Sequence, residues 1–183
     1  LYSIADEGVV SFRILPNGSL ARLNSSSIRG MRGCHLCTDE EDKYVFVSGY
    51  HDGKTTVLSL NPDGSVGKIV DGVFDRGYGS VAERNFRPHV TCTRRMPDNR
   101  FVLSVDNGID QVKIYRFNDK EQKLVQVDAI RCDLESAPRH FRYSKDGKFI
   151  YLMYELKKAI EVYTYKTGDR APVIEKIQTI STT

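Results

Sequence analysis

Two residues of opposite charge flank one predicted strand and could form a binding or catalytic pair. Arg139 and Glu155 are sixteen positions apart (155−139), one just before the strand and one just after it, so their side chains can lie close together. The planar guanidinium of Arg139 could bind a carboxylate or phosphate, or stabilise a developing oxyanion. Glu155 could orient Arg139 or a water molecule, or transfer a proton. A purely structural ion pair is the alternative for both.

Three histidines and one loop arginine are further candidates. His89 could act as a general base or acid because the ordinary pKa of imidazole is near neutrality, or it could simply hydrogen-bond a neighbouring unit of the fold. His35 and His140 recur ahead of strands, which favours packing, although they could also contact a substrate. Arg84 belongs to a long Gly- and Arg-rich loop, residues 71–87, and could contact a phosphate, whereas most loop arginines are solvated.

The four cysteines predict ordinary thiols. Cys34 and Cys37 have the CxxC spacing of a zinc or redox site, but Cys92 and Cys132 stand alone and supply no second pair. A redox pair would also open a helix, whereas the surrounding residues are strand-like. No phosphate-binding loop, nucleophile elbow or calcium loop is present. We therefore predict no metal site and no cofactor.

These residues are positioned by a repeated pair of short strands. The first strands are expected at 44–48, 101–105 and 149–153, and the second at 55–59, 112–115 and 160–163. They are rich in β-branched and aromatic residues. The repeat lengths are 57 (101−44) and 48 (149−101), the size of a four-stranded propeller blade. Asn17-Gly18 and Asp63-Gly64 predict matching hairpin turns.

The expected fold is an all-β propeller of four-stranded antiparallel blades, present as about three and a half blades in a single domain. The approximate blades are 1–30 (the tail of a blade), 31–86, 87–135 and 136–183. Propellers close with about four to eight blades, so a half-ring leaves sheet faces exposed, and we expect a tendency to self-associate.

The net charge and the distribution of apolar residues limit the classes of function that this chain can have. Lys plus Arg number 27 and Asp plus Glu 24, so the formal charge of +3 is too mild and too scattered to predict a nucleic-acid partner. No apolar run approaches the roughly 20 residues of a membrane helix, and no signal peptide is visible. The chain opens on Leu1 within strand-like sequence, so we expect that the natural N-terminus is missing. Cytoplasmic location is the default expectation.

The residues that open each blade resemble a known family. They are Gly33-Cys34-His35-Leu36, Arg87-Pro88-His89-Val90 and Ala137-Pro138-Arg139-His140-Phe141. With Asp146-Gly147-Lys148, Tyr154-Glu155-Leu156 and the Gly77-Tyr78-Gly79 loop, they resemble the seven-bladed lactonase propellers, which include 6-phosphogluconolactonases and carboxymuconate lactonising enzymes. The resemblance covers essentially the whole chain, about half the length of a full member. Thr91, Asn85 and Tyr154 depart from the family pattern.

The resemblance implies hydrolysis of a sugar lactone, 6-phosphogluconolactone first, without an obligatory metal. It assigns the catalytic site to His89, Arg139 and Glu155, with Arg84 near the phosphate and His35 and His140 as substrate contacts. A lactonising or lactone-opening enzyme acting on a muconate-type dicarboxylate is the second hypothesis. A non-catalytic binding propeller is the third, and it would gain weight if Arg139 and Glu155 lay far from His89. The half-ring alone is expected to be inactive or weakly active.

Overall fold

The chain folds into four antiparallel sheets that follow one another in sequence. The computed structural model describes residues 1–79 and 86–182. The strands are β1 (Tyr2–Ala5), β2 (Gly8–Ile14), β3 (Leu20–Ser26); β4 (His35–Thr38), β5 (Tyr44–Gly49), β6 (Lys54–Leu60), β7 (Val66–Phe74); β8 (Val90–Arg95), β9 (Phe101–Asp106), β10 (Gln111–Phe117), β11 (Leu124–Arg131); and β12 (Pro138–Tyr143), β13 (Phe149–Tyr154), β14 (Ala159–Lys166), β15 (Val173–Ser181). The first sheet has three strands in the described residues, and the other three have four each.

Each sheet is a simple up-and-down meander, so the prediction of four-stranded antiparallel blades is confirmed. The predicted strand pairs are β5–β6, β9–β10 and β13–β14. Their registers are equivalent, because Phe46 pairs with Val57, Leu103 with Ile114, and Tyr151 with Val162. The repeat read from the sequence is therefore a repeat in hydrogen-bond register as well. It places corresponding residues of successive blades at corresponding points in space.

Two of the predicted hairpin turns depend on glycine. Gly18 and Gly64 have φ angles of 82° and 85°, a region that residues with a Cβ rarely adopt. Each turn is closed by a backbone hydrogen bond, from Leu15 N to Ser19 O and from Asn61 N to Ser65 O. The matching turns connect β2 to β3 and β6 to β7, so the three strands of the first sheet correspond to the last three of a complete blade.

The hydrophobic core lies between sheets rather than in one centre. One cluster joins the third and fourth sheets, a second joins the second and third, and a third joins the first and second. In the second cluster the Phe117 ring meets Tyr44 and Phe46 edge-on, with centroids 5.0 and 5.7 Å away. Strands β5 and β9 are buried along their whole length because sheets pack on both of their faces.

Strand β13 is not buried on both faces, unlike β5 and β9. Its exposure alternates, and Tyr151 and Met153 are 41% and 44% exposed. Ile180 of β15 lies on the same face as Met153 and is 43% exposed. We refer to Tyr151, Met153 and Ile180 as the exposed face of the fourth sheet. It is open because no further sheet packs on it in this chain.

The first strands of the three complete sheets, β4, β8 and β12, are the inner strands. Each contacts the next, so they stand side by side around what would be the axis of a ring. The residues at the starts of these strands, and those just after β5, β9 and β13, meet at one end of the axis. Residues 1–79 and 86–182 contain no helix that could serve as a membrane span.

Candidate active site

His89 is fixed by the turn that joins β9 to β10. Its backbone N–H donates to Asp106 Oδ1 at 2.8 Å, and its carbonyl accepts from the backbone N–H of Asn107 at 2.9 Å. Gly108 follows in that turn, and a Cβ there would overlap the carbonyl oxygen of Arg87 and crowd the His89 ring. Only glycine lets the turn close this tightly around the segment that carries His89.

The His89 ring is held neutral and in one tautomer. It is 4% exposed, stacks on Tyr50 with centroids 4.2 Å apart, and places Nδ1 2.7 Å from the Tyr50 carbonyl oxygen. Because a carbonyl can only accept, Nδ1 carries the proton and Nε2 keeps a lone pair. Burial lowers the pKa of His89, opposed by the bond to Tyr50 and aided by the charge of Arg87. The neutral ring can therefore accept a proton at Nε2.

Two buried carboxyl groups, those of Asp106 and Asp75, lie next to the segment that carries His89. Asp106 Oδ1 accepts hydrogen bonds from the backbone N–H groups of His89 and Gly108, at 2.8 and 2.9 Å. Burial, then a hydrogen bond with Asp75 and the negative charge of Asp75, raise the pKa of Asp106 to about 8. Asp75 in turn accepts from the hydroxyl of Tyr115 at 2.9 Å and from Lys113 at 3.2 Å. Lys113 is buried for this reason.

Arg139 and Glu155 form an ion pair at the same end of the axis. Arg139 sits at an irregularity in the pairing of β12 with β13, and Glu155 follows β13 directly. The backbone N–H of Glu155 donates to the Ala137 carbonyl at 2.8 Å, which returns the chain towards Arg139. The Nη1···Oε2 distance is 3.2 Å, with side chains 47% and 33% exposed. Both groups are accessible to a ligand.

Two residues connect the ion pair to His89. The guanidinium of Arg139 lies 5.9 Å from the centre of the Tyr50 ring that stacks on His89. The Asn107 side chain donates to Glu155 Oε2 at 3.5 Å, while its backbone bonds His89. The three predicted catalytic residues thus belong to one cluster drawn from three blades. A large distance between His89 and the Arg139–Glu155 pair would have favoured a non-catalytic propeller. The structure instead places the pair close to His89.

Thr91 occupies the position where the family pattern has a second histidine. It is buried, and its hydroxyl donates to the backbone carbonyl of Arg139 at 2.7 Å. This hydroxyl therefore holds the β12 backbone in place. Its structural role here is to position Arg139, because the bond joins the inner strands of two adjacent blades.

Of the three predicted substrate contacts, His35 and His140 lie in the described residues. His35 and His140 meet edge to face, with ring centroids 5.5 Å apart. With Cys92 they form a group whose nitrogen and sulfur atoms all lie within 4.8 Å of one another. Such spacing is compatible with metal binding, so the structure supplies a candidate that the sequence reasoning did not. Arg84 lies outside the described residues.

The CxxC pair is not a disulfide. All four cysteines are free thiols, Cys34 exposed and Cys37 and Cys132 half-buried, with Cys92 buried. Burial raises the pKa of each of these thiols, which keeps them protonated and weakly nucleophilic at neutral pH.

Comparison with known proteins agrees with this architecture. The family model described as "Lactonase, 7-bladed beta-propeller" matches residues 1–183. This chain belongs to that lactonase family. It spans about half the length of the curated relatives it matches. A "6-phosphogluconolactonase" of Bacillus subtilis is 31% identical over 186 residues, which covers 99% of this chain and 52% of the relative. A protein of Staphylococcus saprophyticus is 27% identical over 175 residues, 92% of this chain and 50% of its own.

Two solved structures superpose closely on this chain. A putative 6-phosphogluconolactonase of Bacteroides fragilis superposes with a TM-score of 0.86 at 29% identity, covering 98% of this chain and 53% of that one. The periplasmic gluconolactonase of Pseudomonas aeruginosa gives a TM-score of 0.84 at 25% identity, covering 94% and 49%.

Sequence reasoning missed Tyr50, Asn107 and Cys92, although the repeat contained the signal. One residue directly follows each of β5, β9 and β13: Tyr50, Asn107 and Glu155. The intervals between them are 57 (107−50) and 48 (155−107) residues. Cys92 is related to His35 and His140 by the same intervals, 57 (92−35) and 48 (140−92). A search for polar residues at these intervals would have found the cluster.

Proposed function

We propose that the whole protein containing this lactonase-family chain hydrolyses a sugar lactone, with 6-phosphogluconolactone as the first substrate to test. The observation that carries the proposal is the cluster of a neutral His89 and an accessible Arg139–Glu155 pair, joined through Tyr50. The Bacillus subtilis relative bears the name of this activity. The product would be 6-phosphogluconate, and no cofactor enters the reaction.

The cluster contains the groups that lactone hydrolysis needs. A water molecule adds to the lactone carbonyl carbon, and His89 Nε2 accepts its proton. The negative charge that develops on the carbonyl oxygen is stabilised by the Arg139 guanidinium. The bond between that carbon and the ring oxygen then breaks, and the ring oxygen takes up a proton to become a hydroxyl. Glu155 orients Arg139 and the attacking water.

The direct test is hydrolysis of freshly prepared 6-phosphogluconolactone by the whole protein and by its His89→Gln and Arg139→Ala variants. Both variants should lose on the order of a hundredfold or more in kcat/KM, the usual scale for an acid–base or oxyanion group. Arg116→Ala is the matched control because Arg116 is an exposed arginine of β10. Turnover no faster than the spontaneous reaction would exclude this substrate, and equal losses in all three variants would exclude this site.

The muconate-type enzyme remains the alternative reaction for the same residues. It would use Arg139 to bind a substrate carboxylate, so the two substrates can be assayed side by side. The 183-residue chain on its own should be inactive or weakly active, because further blades would complete the wall of the axis.

The remaining expectations concern location and partners. We predict a cytoplasmic protein with a small lactone as its ligand and with no nucleic-acid or membrane partner. The Pseudomonas aeruginosa neighbour is called periplasmic, so fractionation of cells into cytoplasm and periplasm is the decisive measurement.

A further inference from the structure

A second layer of side chains lies one step further along the inner strands from the His35, Cys92 and His140 group. It consists of Cys37, Arg94 and Arg142, which are spaced by 57 (94−37) and 48 (142−94) residues. Each lies two residues beyond its counterpart in the first layer, so the two layers share one side of the strands. This layer places two arginines on neighbouring blades beside the axis.

Arg94 contacts only neutral acceptors among the described residues. Its Nη1 donates to Cys37 Sγ at 3.2 Å, and its Nη2 lies 3.3 Å from His35 Nε2. Burial raises the pKa of the Cys37 thiol, so the sulfur carries no charge at neutral pH. In residues 1–79 and 86–182, neither Arg94 nor Arg142 forms an ion pair with a carboxylate.

The next residue shows how this chain usually treats a buried arginine. Arg95 has a side chain that is 7% exposed, and it pairs with the fully buried Asp39 at 3.2 Å and with Asp119 at 3.3 Å. Arg94 is only half-buried, but its Nε is buried, and a buried donor without an acceptor is costly. Arg94 therefore lacks a partner that its neighbour has, and a bound anion would supply one.

A cavity lies beside two residues that each carry a donor without an acceptor in the described part of the chain. It has a volume of about 270 Å³ and spans the ends of all three inner strands. The Nε of Arg94 and the hydroxyl of Tyr143 are buried without an acceptor in the described residues, and both side chains line the cavity. Lys145 also lines it, and Glu40 is the one carboxylate among its described lining residues. Two donors without acceptors and an excess of positive charge would stabilise a bound anion that accepts hydrogen bonds.

The charge environment also decides between an anion and a metal ion. Burial, then the positive charges of Arg94, His140 and Arg142, lower the pKa of His35 to about 4. Burial and the charges of Arg142, Arg94 and Arg139 lower the pKa of His140. The same positive charges would repel a divalent cation from His35, Cys92 and His140, despite their spacing.

We propose that Arg94, Tyr143 and Lys145, which line this cavity, form a binding site for a tetrahedral oxyanion of the phosphate class. Arg94 and Lys145 provide positive charge, the Arg94 guanidinium provides N–H donors, and the Tyr143 hydroxyl donates a further hydrogen bond. The site lies along the inner strands, away from His89. Its occupant is either free inorganic phosphate or the phosphoryl group of a bound substrate, and both present the same oxygens.

The site can be tested by titrating inorganic phosphate into the whole protein at constant ionic strength, with chloride as the reference anion. The side-chain Nε–H signal of Arg94 in a ¹⁵N NMR spectrum should shift on binding, and Tm should rise with phosphate. Arg94→Gln should weaken phosphate binding at least tenfold. Tyr143→Phe removes one charge-assisted hydrogen bond and should weaken it roughly tenfold. Arg116→Gln, which removes an exposed arginine, should leave the affinity unchanged.

The source of the anion follows from a competition assay. Competitive inhibition of lactone hydrolysis by phosphate assigns the site to the substrate's phosphoryl group, and phosphate binding without competition assigns it to the free anion. Both results support the site, and the binding measurement does not require lactonase activity. Equal phosphate affinity in the Arg94→Gln and Arg116→Gln variants, or no preference for phosphate over chloride, overturns the proposal.

Discussion

Replacing Asp106 by asparagine should remove a large part of the pH dependence of stability. The folded protein keeps a proton on Asp106 up to pH about 8, whereas an unfolded aspartate has an ordinary pKa of 3.8. Since the folded pKa is raised, the stabilising contribution is fully present below pH 3.8 and is lost as the pH rises through about 8. Each pH unit within that window costs about 1.4 kcal/mol, so the wild type should lose about 3 kcal/mol between pH 5 and 7.

The Asp106→Asn side chain reproduces the protonated carboxyl without titrating. Its carbonyl oxygen can accept from the backbone N–H groups of His89 and Gly108, and its NH₂ can donate towards Asp75. The variant should match the wild type only below about pH 3.8, where Asp106 is protonated in both the folded and the unfolded protein, and it should be more stable by several kcal/mol at pH 8, on the same slope per pH unit.

Urea unfolding followed by far-UV circular dichroism at pH 5, 6, 7 and 8 measures this difference, and the chain has no tryptophan to follow instead. The control is Asp128→Asn, which removes an exposed carboxylate from β11 of the same blade. Parallel stability curves for the wild type and Asp106→Asn would show that Asp106 is ionised in the folded protein, and the account of the carboxyl pair would be wrong.

Three further predictions concern packing, charge and assembly. Gly108→Ala should lower the free energy of unfolding in urea by about 1–3 kcal/mol, because the new methyl group meets the Arg87 carbonyl. Gly18→Ala should cost about 1 kcal/mol, because no atom of the described residues lies near the new methyl group there. Glu161→Gln should cost about 2 kcal/mol at pH 7, and the difference should vanish as the pH falls to about 2, where Glu161 itself protonates. The isolated chain should self-associate in sedimentation velocity through the exposed face of the fourth sheet, and a lysine placed there should reverse it. A monomer at all concentrations would contradict that expectation.

Local patterns were sufficient to predict the strands and their connections. The period-two alternation and the turn glycines act over a few residues, so β5–β6, β9–β10 and β13–β14 could be placed from the sequence. Which sheet covers each face of a strand is not determined by the local sequence. Strand β13 has the same apolar run as β9, yet Tyr151 and Met153 are exposed because no sheet covers them. Lys113 is a buried cation, and the Asp75 carboxylate that neutralises it comes from another blade.

The candidate site was predictable where the chain itself brings residues together. Arg139 and Glu155 flank one strand pair, so their proximity follows from a hairpin. Tyr50 and Asn107 reach them from two other blades, and those contacts depend on how sheets stack. Asp106 could not be singled out either, because an aspartate at a strand end is usually solvated, whereas here its burial and the neighbouring Asp75 of another blade raise its pKa.

The equivalent positions after β5, β9 and β13 have a consequence for how this surface can change over evolution. Tyr50, Asn107 and Glu155 occupy the same backbone setting in three blades, and their β-ladders do not depend on side-chain identity. An aromatic ring, an amide and a carboxylate are therefore interchangeable there at little cost to folding. New ligand preferences can arise by substitution at these three positions, one in each blade, while the scaffold stays constant.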